Sequence, residues 1–234
     1  MLKLSKPNWN LCDTVQLCSL KLEHNKLGQI SAEVRQIEGK YFRFKSEIFN
    51  STHNPIGSDE FSLVEMQAGS MSDLYMQSNE EYREKNFGIG KLLRLVSVME
   101  MLKNQINQIK LYSVETAIYF HSKFGFEPDI RNASEREATL FSISKYPIFK
   151  DLQEKAQNYA KDIAYENVSR AEIRPKVNNL AKEFIGRILK KGGNEYKEFP
   201  FDWGMDMLLT DEKIWKMHEF YDQAYKDSGI DFRV

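Results

Sequence analysis

Cysteine is nearly absent: Cys12 and Cys18 are the only two in 234 residues, and both lie near the N-terminus. Two thiols in one segment make no disulfide framework and no paired CxxC zinc spacing. Histidine is almost as scarce. His24, His53, His121 and His218 form no HxxxH pair, so no metal site is expected. No run approaches the ~20 apolar residues of a membrane span. The opening stretch MLKLSKPNWNLCDTVQLCSL has no continuous apolar segment of signal-peptide kind, and a cytoplasmic setting is the expectation. An excess of one charge is missing too. Lys and Arg number 33 against 34 Asp and Glu, which gives no strong nucleic-acid signal.

With 41% apolar residues the chain has enough material for one sizeable core, either a single large domain or a domain with an extension. It holds no internal repeat and no low-complexity tract. The first half alternates with a period of two. TVQLCSLKLE, QISAEVRQI and YFRFKSEIF are expected strands, the second with Ile30, Ala32 and Val34 on one face and the third with Phe42 and Phe44 on one side. A polar stretch holding Pro55 and Gly57 follows, then two short strands at FSLVEMQ and DLYMQS. The result is an antiparallel meander.

The stretch YREKNFGIGKLL, residues 82–93, changes the pattern. Gly88 and Gly90 precede a helix whose Leu92, Leu93, Val96 and Met99 share a face, with Lys91, Arg94 and Lys103 off it. A strand at QIKLYSV follows, then a short helix ETAIYFHSKF closed by Gly125. GFEPDI and ATLFSISK are expected strands. Strand, helix and strand in this order make a βαβ crossover within a mostly antiparallel sheet. Beyond about residue 150 the pattern is helical. KDLQEKAQNYAKDIAYENVS is one helix. PKVNNLAKEFIGRILKKGG is another, with Pro175 in its first turn and a stripe of Val177, Leu180, Ala181, Phe184, Ile185, Ile188 and Leu189. Thr210 is positioned to cap a last helix, DEKIWKMHEFYDQAYKDSG, whose Trp215, Tyr221 and Tyr225 suit a core or interface stripe. A polar turn near 166–174 is a candidate boundary.

Two glycines at a helix start, with Arg83, Lys85 and Lys91 around them, have a chemical reading. The first helical turn presents unpaired N–H groups and the positive end of the dipole, and glycine lets an anion approach the backbone. A turn that only joins strand to helix has the same composition. No GxxxxGK[ST] occurs, and the third glycine of a dinucleotide fingerprint is missing.

About thirty residues downstream AIYFHSKFGF occupies 117–126. The two clusters in this order resemble the GNAT superfamily of acyl-CoA-dependent N-acyltransferases. Its first motif, [Q/R]xxGx[G/A], is met by Lys85, Gly88 and Gly90 with Lys in place of Gln or Arg. In the other register Arg83, Asn86 and Gly88 meet it, with Asn in place of the first glycine. The apolar A..FY.K.GF signature is met by Ala117, Phe120, Lys123, Gly125 and Phe126. The resemblance covers about 60–145, is weaker over the strands before, and does not extend to the last eighty or so residues.

The resemblance implies acetyl-CoA as acyl donor and an amine as acceptor. Main-chain groups of Met76, Gln77 and Ser78 would meet the pantetheine arm. Arg83, Lys85, Asn86, Phe87, Gly88, Ile89, Gly90 and Lys91 would hold the pyrophosphate. Where many members place the tyrosine that protonates the leaving thiolate stands His121, with Tyr119 two residues earlier on the opposite side of the helix. A packed aromatic at 119 and a surface histidine at 121 are the plain alternatives. Glu65, Asp73 and Glu115 are the acidic residues near the expected strand ends, and none stands out as a base. The family's helices between the first two strands have no room here, because only HNKLG joins them. The C-terminal helices would replace that wall, or else form a homodimer or protein-partner surface.

These readings combine into an α+β fold: a GNAT-like, mostly antiparallel sheet with a βαβ crossover over 1–148, and a helical C-terminal extension over 149–234. The expected activity is transfer of an acetyl group to a primary amine of a small molecule, a protein or an aminoacyl-tRNA. The alternatives are a non-catalytic acyl-CoA-binding module that engages a partner through its tail, and a structural domain whose loop holds nothing.

Overall fold

The structure is a computed structural model that describes residues 18–24, 26–37, 43–62, 70–81, 87–103, 106–114, 117–165, 168–191 and 204–227. The chain divides into two compact units, one reaching Lys110 and resuming at Leu209, the other running from Leu111 to Leu208. This line differs from the expected split at 148 and 149, which remains a proposal.

The first unit is built on the expected meander. β1 (Cys18–His24), β2 (Gly28–Gln36), β3 (Arg43–Phe49), β4 (Pro55–Ser62) and β5 (Ser70–Ser78) pair antiparallel in chain order. Gly28, at φ +69°, takes the left-handed conformation that the β1–β2 turn requires. Ile30, Ala32 and Val34 are buried, as their alternation predicts. Phe42 lies outside the described residues. Pro55 and Gly57, expected in a polar connection, belong to β4. Proline is tolerated there as the first strand residue, and glycine is needed because a helix lies against it.

That helix is α1 (Ile89–Lys103), which packs on β3, β4 and β5 and leads to β6 (Gln108–Val114), a sheet neighbour of β5. Leu92, Leu93, Val96 and Met99 are buried as expected. Arg94, expected off the apolar face, is 0% exposed. Its charge acts on the Tyr221 hydroxyl, so the face opposite the sheet is not open to water. The last helix is two, α6 (Asp211–Lys216) and α7 (His218–Asp227), broken at Met217. Thr210 caps the first, its Oγ1 accepting from Lys213 N at 3.2 Å. Ile214, Tyr221 and Ala224 are buried. The side chain of Tyr225 lies outside the described residues.

The second unit takes the end of β6, then α2 (Ala117–Lys123), β7 (Glu127–Pro128), α3 (Ala133–Ser144), α4 (Lys150–Ala164), α5 (Arg170–Lys191) and most of β8 (Gly204–Thr210). β8 pairs antiparallel with β7, Pro128 opposite Met207. It lies in a stretch to which the sequence pattern assigns no element. Its first residue, Gly204, lies under the Tyr112 ring, 2.6 Å from where a Cβ would stand.

ATLFSISK is helical, not a strand. Arg136, Leu140 and Ile143 are buried at helical spacing against α4 and α5, while Phe141 faces water. Thr139 satisfies its hydroxyl by donating to the Glu135 carbonyl at 2.7 Å, one turn back. Packing on two helices overrides the β propensity of Thr, Phe and Ile. α5 begins five residues before Pro175. Ser169 and Glu172 cap it reciprocally: Glu172 Oε2 accepts from Ser169 N at 3.0 Å, and Ser169 Oγ accepts from Glu172 N at 3.3 Å. Residues 170–174 are therefore helix, not the polar turn expected there. Pro175, in the helix interior, is exposed, so the Ala171 carbonyl that loses its partner can reach water. Six residues of the expected α5 stripe are buried, with Leu189 half-buried, and Tyr146, Phe149 and Phe184 meet in a ring cluster.

Candidate functional site

β5 carries the three residues expected along an acyl-CoA arm. In its register with β4, Met76 faces Asp59, Gln77 faces Ser58 and Ser78 faces Gly57. Just upstream the register shifts, with Glu60 opposite Tyr75 and Phe61 opposite Asp73, so Leu74 is an extra residue on β5. Such a bulge bends a strand and re-aims the residues beyond it. Past the strand's end, Asn79 fixes the chain to β4 twice. Its N–H donates to the Ile56 carbonyl at 3.0 Å, and its Nδ2 donates to the Pro55 carbonyl at 2.9 Å.

Arg83, Lys85 and Asn86 lie outside the described residues. The chain is described again at Phe87. Gly88 is exposed with φ +75°, and among the described residues no heavy atom beyond its chain neighbours lies within 4 Å of where its Cβ would be. The backbone is thus open to a ligand on the side from which a side chain would exclude it. The Gly88 carbonyl accepts from Leu92 N at 3.0 Å, which starts α1. The N–H groups of Ile89, Gly90 and Lys91 belong to the first turn, where no intrahelical carbonyl is available. No acidic residue stands in that turn, and Lys91 does. Charge and dipole both favour an anion.

The position of the turn is set by Ile89, which is buried and lies on Gly57. A Cβ at Gly57 would come within 2.6 Å of Ile89 Cγ2, 3.2 Å of Leu93 Cδ1 and 3.2 Å of the Gln77 carbonyl oxygen. The structure therefore brings Gln77 and Ile89 together around one glycine. A second hold comes from His24 at the end of β1. Its Nε2 donates to the Phe87 carbonyl at 2.9 Å, and its Nδ1 accepts from Lys26 N at 3.2 Å and Leu27 N at 3.1 Å. Gly57, Asn79 and His24 were all missed from sequence. A glycine inside a strand signals close approach of another element, so Gly57 had a readable sign; His24 and Asn79 had none.

The second unit holds Tyr119 and His121, both on α2. The helix ends in a Schellman motif. Gly125 takes φ +87°, Gly125 N donates to the Ser122 carbonyl at 3.0 Å, and Phe126 N donates to the His121 carbonyl at 3.3 Å. His121 is 8% exposed, not the surface residue of the plain alternative. Its ring meets Phe120 and Phe126 edge-on at 5.1 and 5.6 Å. Tyr119 is 1% exposed. Burial, and then the neighbouring Tyr146, push its hydroxyl well above the usual phenol range, so it stays protonated. Glu65 and Glu115 lie outside the described residues, and so does the Asp73 side chain.

The acetyltransferase GCN5 from Tetrahymena is similar in structure, with 21% identity over 41% of this chain and 58% of that one, TM-score 0.35. So is the PaiA N-acetyltransferase of Thermoplasma acidophilum in complex with coenzyme A, at 25% identity over 39% and 56%, TM-score 0.34. A GNAT-family acetyltransferase of Staphylococcus aureus matches at 24% identity over 38% and 56%, also at 0.34. All are GNAT N-acetyltransferases. The chain spans a little over half the length of each. No family model and no curated protein sequence matches it. Among the described residues no helix is long and apolar enough to cross a membrane, and no three His, Cys, Asp or Glu side chains are placed to hold a metal.

Proposed function

We propose that the chain is an acyl-CoA-dependent N-acyltransferase that moves an acetyl group from acetyl-CoA to a primary amine. The observation that carries the reading is the start of α1. Three first-turn N–H groups stand beside the open, left-handed Gly88, with Lys91 and no acid in the turn. The cofactor's pyrophosphate fits a cradle of that kind. Met76, Gln77 and Ser78 offer main-chain groups to the pantetheine arm, and Arg83 to Lys91 form the phosphate segment.

The cofactor supplies a thioester carbonyl. Attack by the neutral amine forms a C–N bond and breaks the C–S bond; the amine loses a proton and the thiolate gains one. Positioning and stabilisation of the developing oxyanion account for most of such a rate. Tyr119 and His121 are the proposed proton donors to sulfur. The domain split at 148 and 149, the acceptor-side wall or partner surface made by the C-terminal helices, and a cytoplasmic setting belong to the same proposal.

One observation favours a second reading. Both proposed donors are buried, Tyr119 almost completely. A module that binds acyl-CoA without turnover and engages a partner would need neither of them exposed. Calorimetric titration with acetyl-CoA and with CoA tests what the two readings share, and flat titrations sink both. Binding followed by acetylation of any member of an amine panel selects the enzyme.

A further inference from the structure

We propose that His24 is a positioning residue for the first turn of α1, acting through the Phe87 carbonyl; the inference rests on the acyl-CoA reading above. His24 is buried at the end of β1, more than sixty residues before the loop that it holds. Its ring uses both nitrogens. Nδ1 accepts two N–H bonds from Lys26 and Leu27 and so carries no proton. The ring hydrogen is therefore on Nε2, aimed at Phe87 O at 2.9 Å. The ring also meets the Phe87 ring edge-on, with centroids 6.4 Å apart. One side chain thus closes the β1–β2 turn and grips the residue before Gly88.

A grip is needed at this point. Gly88 has the widest backbone freedom of any residue type, and its carbonyl begins the helix. On the other side of the loop Asn79 is tied to Ile56 and Pro55. Downstream, Ile89 is set on Gly57. Without the bond to Phe87, the peptide entering Gly88 loses one of its holds, and the first-turn N–H groups are kept less firmly in their common direction. A ligand must then bear the cost of ordering them. The effect is on affinity, with no group of His24 touching the cofactor.

The two functions of the ring can be separated by substitution. Asn places its amide oxygen close to the position of Nδ1, so His24→Asn keeps an acceptor for Lys26 and Leu27 and loses the donor to Phe87. Gln reaches the position of Nε2, so His24→Gln keeps the donor and loses the turn acceptor. The readouts are acetyl-CoA titration, thermal melting and hydrogen exchange at the Leu92 amide, which donates to Gly88 O.

His24→Asn is expected to melt near the wild type while binding acetyl-CoA roughly five- to ten-fold more weakly, the size of one lost hydrogen bond, with faster exchange at Leu92. His24→Gln is expected to bind near wild-type strength and melt lower. Equal effects of the two variants on binding, or an Asn variant with wild-type affinity and exchange, would overturn the proposal. If the wild-type protein binds neither acetyl-CoA nor CoA, the acyl-CoA reading fails by itself. The exchange comparison then decides alone whether His24 holds the turn.

Discussion

Ile89 rests on Gly57 so closely that no side chain fits between them: a Cβ at residue 57 would lie 2.6 Å from Ile89 Cγ2. This contact sets the start of α1 on the ends of β4 and β5. Gly57→Ala must push the helix outward or displace Ile89 and Leu93. Overpacking of this kind costs about 1–3 kcal/mol. Lower thermal stability together with weaker acetyl-CoA binding is expected, and an unchanged melting temperature would show that the contact yields easily.

Gly88 differs from Gly57 in kind. Among the described residues a substituent there meets nothing beyond its chain neighbours, but φ is +75°. Gly88→Ala is expected to cost about 1–2 kcal/mol through backbone strain alone. Gly88→Val adds branching that the left-handed region resists, and bulk where an anion would approach. If the acyl-CoA reading holds, titration of the Val variant gives a larger loss of affinity than the Ala variant, together with a further loss of stability from the branching.

The α1 boundary was readable because its signals are local: strand alternation stops, two glycines intervene, and a 3.6-residue pattern begins. The end of α2 was readable for the same reason, since Gly125 is a direct mark of a left-handed cap. α3 was not. Its β-branched and aromatic residues point to a strand, and only the buried faces of α4 and α5 make Leu140 and Ile143 helical partners. Arg94 shows the same limit. Arginine on a helix normally marks the wet side, and nothing local announces that this side is covered. α5 is a partial case: Ser169 and Glu172 spell a capping box, but Pro175 is the louder signal and shifts the apparent start. At the candidate site the loop was visible, while of its supports only Gly57, a glycine inside a strand, carried a sign. Those supports, Gly57, Asn79 and His24, come from strands and turns distant in sequence.

Asp206 gives a pH prediction. Burial, and then the charge of Glu135, raise its carboxyl above the usual range, with Asp129 adding to this and Arg131 opposing it. A raised pKa means that the fold prefers the protonated acid, so stability falls as pH rises through the folded value. At neutral pH Asp206 therefore destabilises, and Asp206→Asn is expected to melt higher than the wild type. The difference should disappear below about pH 4, where the unfolded chain is protonated as well. A variant that is equally or less stable at pH 7 would mean that the carboxylate is compensated.

Tyr119 and His121 are separated best by rate and affinity together. The Tyr119 hydroxyl is held protonated by burial, which excludes a base at neutral pH and makes it a weaker acid than an ordinary phenol. If it delivers the proton to sulfur, Tyr119→Phe lowers kcat by about 10²–10⁴, with acetyl-CoA affinity unchanged and stability nearly so. His121→Ala then leaves kcat within a few-fold and loses stability instead, because its ring fills space between Phe120 and Phe126. The reverse pattern assigns the proton to His121. Should both variants keep the wild-type kcat, neither residue is the donor. The alkaline limb of protein stability offers an independent check on Tyr119. A phenol kept neutral in the fold but ionised above about pH 10 in the unfolded chain costs up to ~1.4 kcal/mol per pH unit there. Tyr119→Phe should therefore flatten that limb, whether or not the residue takes part in catalysis.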